Sequence, residues 1–104
     1  MSYNLFLDDE RRPQDLQWIV GPLDVLQEDF VCVKSFNEFY SAIKKYGIPK
    51  LVCFDYKILG DKTGLDCAEF LKFECDEQGV DVPEYIVHSG WPGIKGNFHE
   101  ILDK

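Results

Sequence analysis

Short apolar runs that stop abruptly at acidic or hydroxyl-bearing residues constrain this chain more than anything else in it. Tyr3 to Leu7 runs straight into Asp8-Asp9-Glu10, Leu51 to Phe54 into Asp55, and Glu84 to Val87 into His88-Ser89-Gly90. Phe30 to Lys34 is a fourth run of the same kind. Four or five consecutive apolar or β-branched residues are the mark of a buried strand, and a polar cluster straight after one marks the loop beyond its carboxyl end.

Helical signals lie between the runs. Ser35-Phe36-Asn37-Glu38 fits a capping box, in which Ser35 accepts from the amide of Glu38 and Glu38 reaches back. Phe36, Phe39, Tyr40 and Ile43 then recur at helical spacing, and Gly47 and Pro49 end that helix. Thr63-Gly64-Leu65-Asp66 caps a second helix running to about Gln78, with Gly79 as its stop. Gly64, Cys67, Ala68, Leu71 and Cys75 share its inner side. Phe70 and Phe73 point elsewhere, against a neighbouring loop or into a self-association patch. Asn97 is expected to open a last short helix through Phe98, Ile101 and Leu102. Residues 14–29 carry no clear period: Asp15 can cap a turn through Val20, Gly21-Pro22 breaks it, and Leu23 to Leu26 fit one further turn.

Strands alternating with helices predict an α/β fold with a mostly parallel sheet and helices on both faces, in one domain spanning residues 1–104. Ligand sites in such sheets lie beyond the carboxyl ends of the strands, where the strand order reverses. In a 2-1-3-4 order the first, third and fourth strands are adjacent, and Asp8, Asp9, Asp55, His88 and Ser89 converge.

Charge and cysteine content narrow the function. The net charge of -8, from 19 acidic and 11 basic residues, disfavours duplex nucleic acid as a partner. Of the four cysteines, Cys32 and Cys53 lie inside strand-like runs and Cys67 and Cys75 on one helix face. No Cys-x-x-Cys pair occurs, so buried reduced thiols and a cytoplasmic location are expected. No apolar run approaches the roughly 20 residues of a membrane span.

Each strand-end residue has a chemistry. Asp8, Asp9 and Asp55 offer oxygen ligands to Mg²⁺ or Mn²⁺, and a cation relieves the repulsion among converging carboxylates. Arg11 presents a planar fork matching a phosphate, and Arg12 the same with less support. His88, of a residue type titrating near neutrality, suits proton transfer. Ser89 can donate to a phosphoryl oxygen. Lys95 and Lys57 are further phosphate contacts, Tyr56 and Trp91 flank the pocket, and His99 is expected at the surface or in packing. Bland readings stand beside these: loop and cap acids, a surface ion pair for Arg11, a structural histidine, a turn serine.

Asp8-Asp9, then Asp55, then Ser89 after the fourth strand resembles the receiver domains of response regulators. That resemblance implies a flavodoxin-like, doubly wound sheet, cation binding by the three aspartates, a phosphoryl group on Asp55 and a contact from Ser89. The chain reads as a truncated receiver, since no fifth strand ending in Lys-Pro can be read. It is closer still to the cyclic-phosphate-processing receiver-like proteins. Asp8-Asp9-Glu10-Arg11-Arg12-Pro13 matches their early Asp-Asp-x-Arg-x-Pro, and His88-Ser89 their histidine-serine pair. Where that family usually reads Asp-His-Asp-Leu, this chain has Asp55-Tyr56-Lys57-Ile58.

The resemblance implies cation-dependent opening of a cyclic phosphate or a related phosphodiester, with His88 and Asp55 catalytic, Arg11, Ser89 and Lys95 on the phosphate, and Asp8, Asp9 and Asp55 on the metal. The partner is then a phosphate-bearing small molecule or a cyclic-phosphate terminus. The alternative is a non-catalytic regulatory or interaction module, with a protein partner and Asp55 as phosphoacceptor or ligand site.

Overall fold

A computed structural model of the protein describes residues 3–9, 30–88 and 93–103. Its strands are β1 (Asn4–Leu7), β2 (Phe30–Val33), β3 (Leu51–Phe54) and β4 (Glu84–Val87), and its helices α1 (Phe36–Tyr46), α2 (Gly64–Gln78) and α3 (Ile94–Leu102). The strands form one parallel sheet in the order β2-β1-β3-β4. This is a flavodoxin-like arrangement in the expected strand order. Residues 14–29, Arg11, Arg12, Ser89 and Trp91 lie outside the described residues.

Among the described residues, the apolar side chains of the two sheet faces form one large and one small cluster. Leu5, Leu7, Val52, Phe54 and Val87 point to one side and join Phe39 and Ile43 of α1, Leu71 and Cys75 of α2, and Phe98 and Leu102 of α3 in the main core. Phe6, Leu51 and Cys53 point to the other side with Phe30 and Ile86. Both faces of β1 and β3 are therefore apolar, which is why those runs show no polar alternation.

The helices start and stop where local chemistry dictates. The Glu38 amide donates to Ser35 Oγ at 3.2 Å, while the Glu38 carboxylate accepts from the Lys34 amide at 3.1 Å, one residue further back than a standard capping box. The Thr63 amide donates to Asp66 Oδ2 at 2.7 Å at the head of α2. Gly79 closes that helix in the left-handed conformation, φ 69°, which costs glycine nothing.

Three sequence expectations are corrected. The last helix begins at Ile94 rather than Asn97, because Gly93 at φ 79° caps it and buried Ile94 sits one turn before Phe98. Cys32 is exposed, since β2 is an edge strand and its side chain faces outward. Phe70 packs against a helix rather than a loop, meeting Phe36, Phe39 and Tyr40 of α1 with ring centroids 4.8–6.5 Å apart. Phe73 is left exposed. No helix among the described residues is long and apolar enough to cross a membrane.

Candidate functional site

Three residues that each follow a different strand meet at the carboxyl end of the sheet. Asp8 follows β1, Asp55 follows β3 and His88 follows β4. Backbone hydrogen bonds fix two of these take-off points: the Asp8 amide donates to Val33 O at 3.1 Å, and the His88 amide to Phe54 O at 3.0 Å. Because β1, β3 and β4 are adjacent, the side chains converge.

The cluster is buried, with Asp8, Asp55 and His88 at 3%, 7% and 3% exposure. One ligand atom from each lies within 4.8 Å of the others. His88 Nε2 is 2.9 Å from Asp8 Oδ2. A carboxylate only accepts, so Nε2 carries the hydrogen and donates it. The imidazole lies flat on the Phe6 ring, centroids 5.1 Å apart and planes within 4°. Its Nδ1 is buried without a hydrogen-bond partner among the described residues. Buried polar atoms of this kind call for a functional or solvent explanation.

Asp55 is held from behind. The Tyr56 amide donates to Asp55 Oδ1 at 2.8 Å, and the Gly64 amide donates to Tyr56 O at 2.7 Å. A Cβ on Gly64 would lie 1.8 Å from the Asp55 carbonyl oxygen, so glycine alone lets α2 approach this closely. Sequence reasoning put Gly64 in the cap and on the inner face of α2 but missed this role. A glycine directly after a capping threonine, near the loop bearing Asp55, was the available signal.

Two buried carboxylates side by side are electrostatically unfavourable unless a positive charge balances them. The donor set suits a divalent cation. A cation with ligands at about 2.1 Å spans roughly 4.2 Å between opposite donors, close to the observed spread. Asp9 is half-buried and outside this group, whereas His88 is inside it. Lys95 is exposed in the first turn of α3, at the same end of the sheet, and Lys57 is exposed in the loop after Asp55. Half-buried Tyr56 packs against the core. Arg11 and Ser89 lie outside the described residues.

The thiols take no part in the site. Burial pushes Cys53 up to about 12 and raises Cys67 and Cys75 above the ordinary thiol range, so they stay protonated and inert at neutral pH. His99 is exposed in α3, its Nδ1 against Tyr85 Oη at 2.5 Å and Asp103 Oδ2 at 2.9 Å.

A parallel 2-1-3-4 sheet with acids at the ends of its first and third strands defines a receiver-class domain. The chain belongs to the cyclic-phosphate processing receiver domain family, whose sequence profile matches residues 3–104. Solved structures agree on the fold. The bacteriophytochrome response regulator AtBRR superposes with a TM-score of 0.66 at 16% identity, over 97% of this chain and 76% of that one. The response regulator TrrA of Thermotoga maritima, in complex with Mg²⁺-BeF, gives 0.55 at 18% identity over 98% and 100%. The phosphorylated cyanobacterial phytochrome response regulator RcpA gives 0.54 at 14% identity over 98% and 89%. No curated protein sequence matches the chain.

Proposed function

We propose that this pocket processes a cyclic phosphate or a related phosphodiester with the help of Mg²⁺ or Mn²⁺, making the chain a cytoplasmic, metal-dependent phosphodiesterase acting on a small molecule or a cyclic-phosphate terminus. The observation that carries the reading is the buried Asp8–His88 pair beside Asp55 in a member of this family. TrrA, with the same fold, has a complex with Mg²⁺-BeF, and the donor set here suits the same kind of ion.

Asp8 and Asp55, with neighbouring Asp9, would hold the cation. When bound, such an ion supplies Lewis-acid polarisation of a phosphoryl oxygen. Arg11, Ser89 and Lys95 would steady the phosphate through charge-assisted hydrogen bonds. Asp8 fixes the imidazole through Nε2–H, which leaves the Nδ1 lone pair for proton transfer. Acting through one water, Nδ1 would take a proton from the attacking water as its oxygen bonds to phosphorus. The ring P–O bond breaks, and the same proton goes to the departing oxygen, leaving an open phosphomonoester.

A second reading keeps the pocket without turnover: a regulatory or interaction module in which Asp55 accepts a phosphoryl group. It is favoured by the structural likeness to response regulators.

Phosphorus NMR with Mg²⁺ or Mn²⁺ and a panel of cyclic nucleotides and terminal 2′,3′-cyclic phosphates tests both. Metal-dependent conversion of a cyclic to an open phosphate, lost in His88→Gln, is expected; glutamine keeps a donor to Asp8 but has no basic nitrogen. Turnover unchanged in that variant removes the proposed role of His88. No conversion across the panel, together with a phosphodonor-dependent mass increase absent from Asp55→Asn, would replace the first reading with the second.

A further inference from the structure

Tyr85 and Ile86 are neighbours in β4, and their side chains fall on opposite faces of the sheet. Tyr85 meets Phe54 of the main core edge-on at 6.3 Å, while Ile86 packs with Phe6 and Cys53 on the other face. Both nevertheless line one groove of about 610 Å³. The groove therefore wraps round β4 at the amino end of the sheet. Leu51 and Pro83 line it at the amino end of the sheet, and Leu102 and Asp103 bring in the last turn of α3. This is the end of the sheet opposite Asp8, Asp55 and His88, so the groove is independent of the phosphate reading.

The edge backbone is oriented for pairing. The His88 amide donates to Phe54 O, and alternation along the strand then turns the N–H and C=O of Tyr85 and Val87 away from β3. No described strand lies on that side. Outward backbone groups beside apolar side chains are the geometry of strand addition.

The rim sets the chemistry of the occupant. Glu84 and Asp103 are both exposed and both line the groove. The carboxyl end of α3 adds the negative end of a helix dipole, on a chain of net charge -8. A second copy would bring the same carboxylates to the same edge, and like charges facing one another disfavour that pairing. We infer that the outer edge of β4 docks an extended apolar segment of a partner protein, added as a further strand, with a lysine or arginine reaching Glu84 and Asp103.

The test uses the isotopically labelled full chain and two capped hexapeptides, Lys-Val-Thr-Val-Lys-Val and its counterpart with glutamate for lysine, titrated to millimolar concentration. The lysine peptide should give saturable amide shifts at Tyr85 and Val87 and slow their hydrogen exchange several-fold. Glu84→Lys, at an exposed position that leaves the core intact, should weaken the lysine peptide and strengthen the glutamate one. Absence of shifts along β4, or equal response to both peptides, would overturn the proposal. So would concentration-dependent protection of the same amides without peptide, which would make the occupant a second copy.

Discussion

His88 Nε2 donates to Asp8 Oδ2 at 2.9 Å across eighty residues of sequence, with both side chains sealed from solvent. The pair links the ends of β1 and β4, which are not neighbours in the sheet, over the end of β3. His88→Ala removes the donor and the ring stacked on Phe6, leaving a buried carboxylate one partner short. The expected cost is about 1–3 kcal/mol, measured by urea denaturation, with His88→Gln closer to wild type.

Cation binding should appear as stability before any activity is known. With the ion at about 100 times its Kd, linkage predicts roughly 2.7 kcal/mol of added stability. Thermal unfolding with Mn²⁺ or Mg²⁺, reversed by chelator, measures it, and Asp55→Asn should erase the gain. A wild-type melting temperature indifferent to both ions would argue against the metal site.

Gly64→Ala tests how α2 sets Asp55. The new Cβ meets backbone rather than a flexible side chain, so α2 or the loop after β3 must move. Such overpacking costs about 1–3 kcal/mol. The same variant should lose cation affinity, because Asp55 moves with its carbonyl. Calorimetric titration alongside thermal melting separates the two effects, and full retention of both would refute the close approach.

Glu74 is buried on α2 and pairs with Lys44 of α1, whose ammonium also lies 5.6 Å and 5.9 Å from the Tyr40 and Phe70 ring centroids. Lys44→Met should lower the melting temperature by stranding a buried carboxylate. Adding Glu74→Met should restore it, since an apolar pair is tolerated where a lone charge is not. A double variant no better than the single would show that Lys44 acts by packing alone.

Alkaline pH reaches Tyr85 late. Burial first, then its hydrogen bond to Asp103, raise its hydroxyl to about 12. The neutral form is the one favoured on folding, so this contribution is complete below about 10, the ordinary tyrosine value, and is lost as pH rises towards about 12. Ultraviolet titration of wild type against Tyr85→Phe isolates the transition. Asp103→Asn should lower it only in part, because burial is the larger cause.

Much of this molecule is legible from local pattern. Apolar runs ending at Asp8, Asp55 and His88 identify strands and site together, since a buried strand ends where its first polar residue meets the loop. The serine and threonine caps and the stops at Gly47 and Gly79 are equally local. Asn97 is a local opening signal for α3, but burial of Ile94 and Phe98 one turn apart carries the helix back across Gly96 and outweighs glycine's modest helical cost. Cys32 looked buried because an apolar run does not say whether its strand is central or at the edge.

By itself the sequence determined an α/β alternation, a parallel sheet and an acidic site at the strand ends, because strand length, helical period and capping depend on neighbours a few residues apart. Only the tertiary structure decided that Asp8 rather than Asp9 enters the cluster with His88, that Gly64 lies against the Asp55 backbone, and that Glu74 is buried under Lys44. Each of those depends on the spacing between elements far apart in the chain. Ångström-scale approach between packed surfaces is set by the whole core and leaves no periodic mark in the order of the residues.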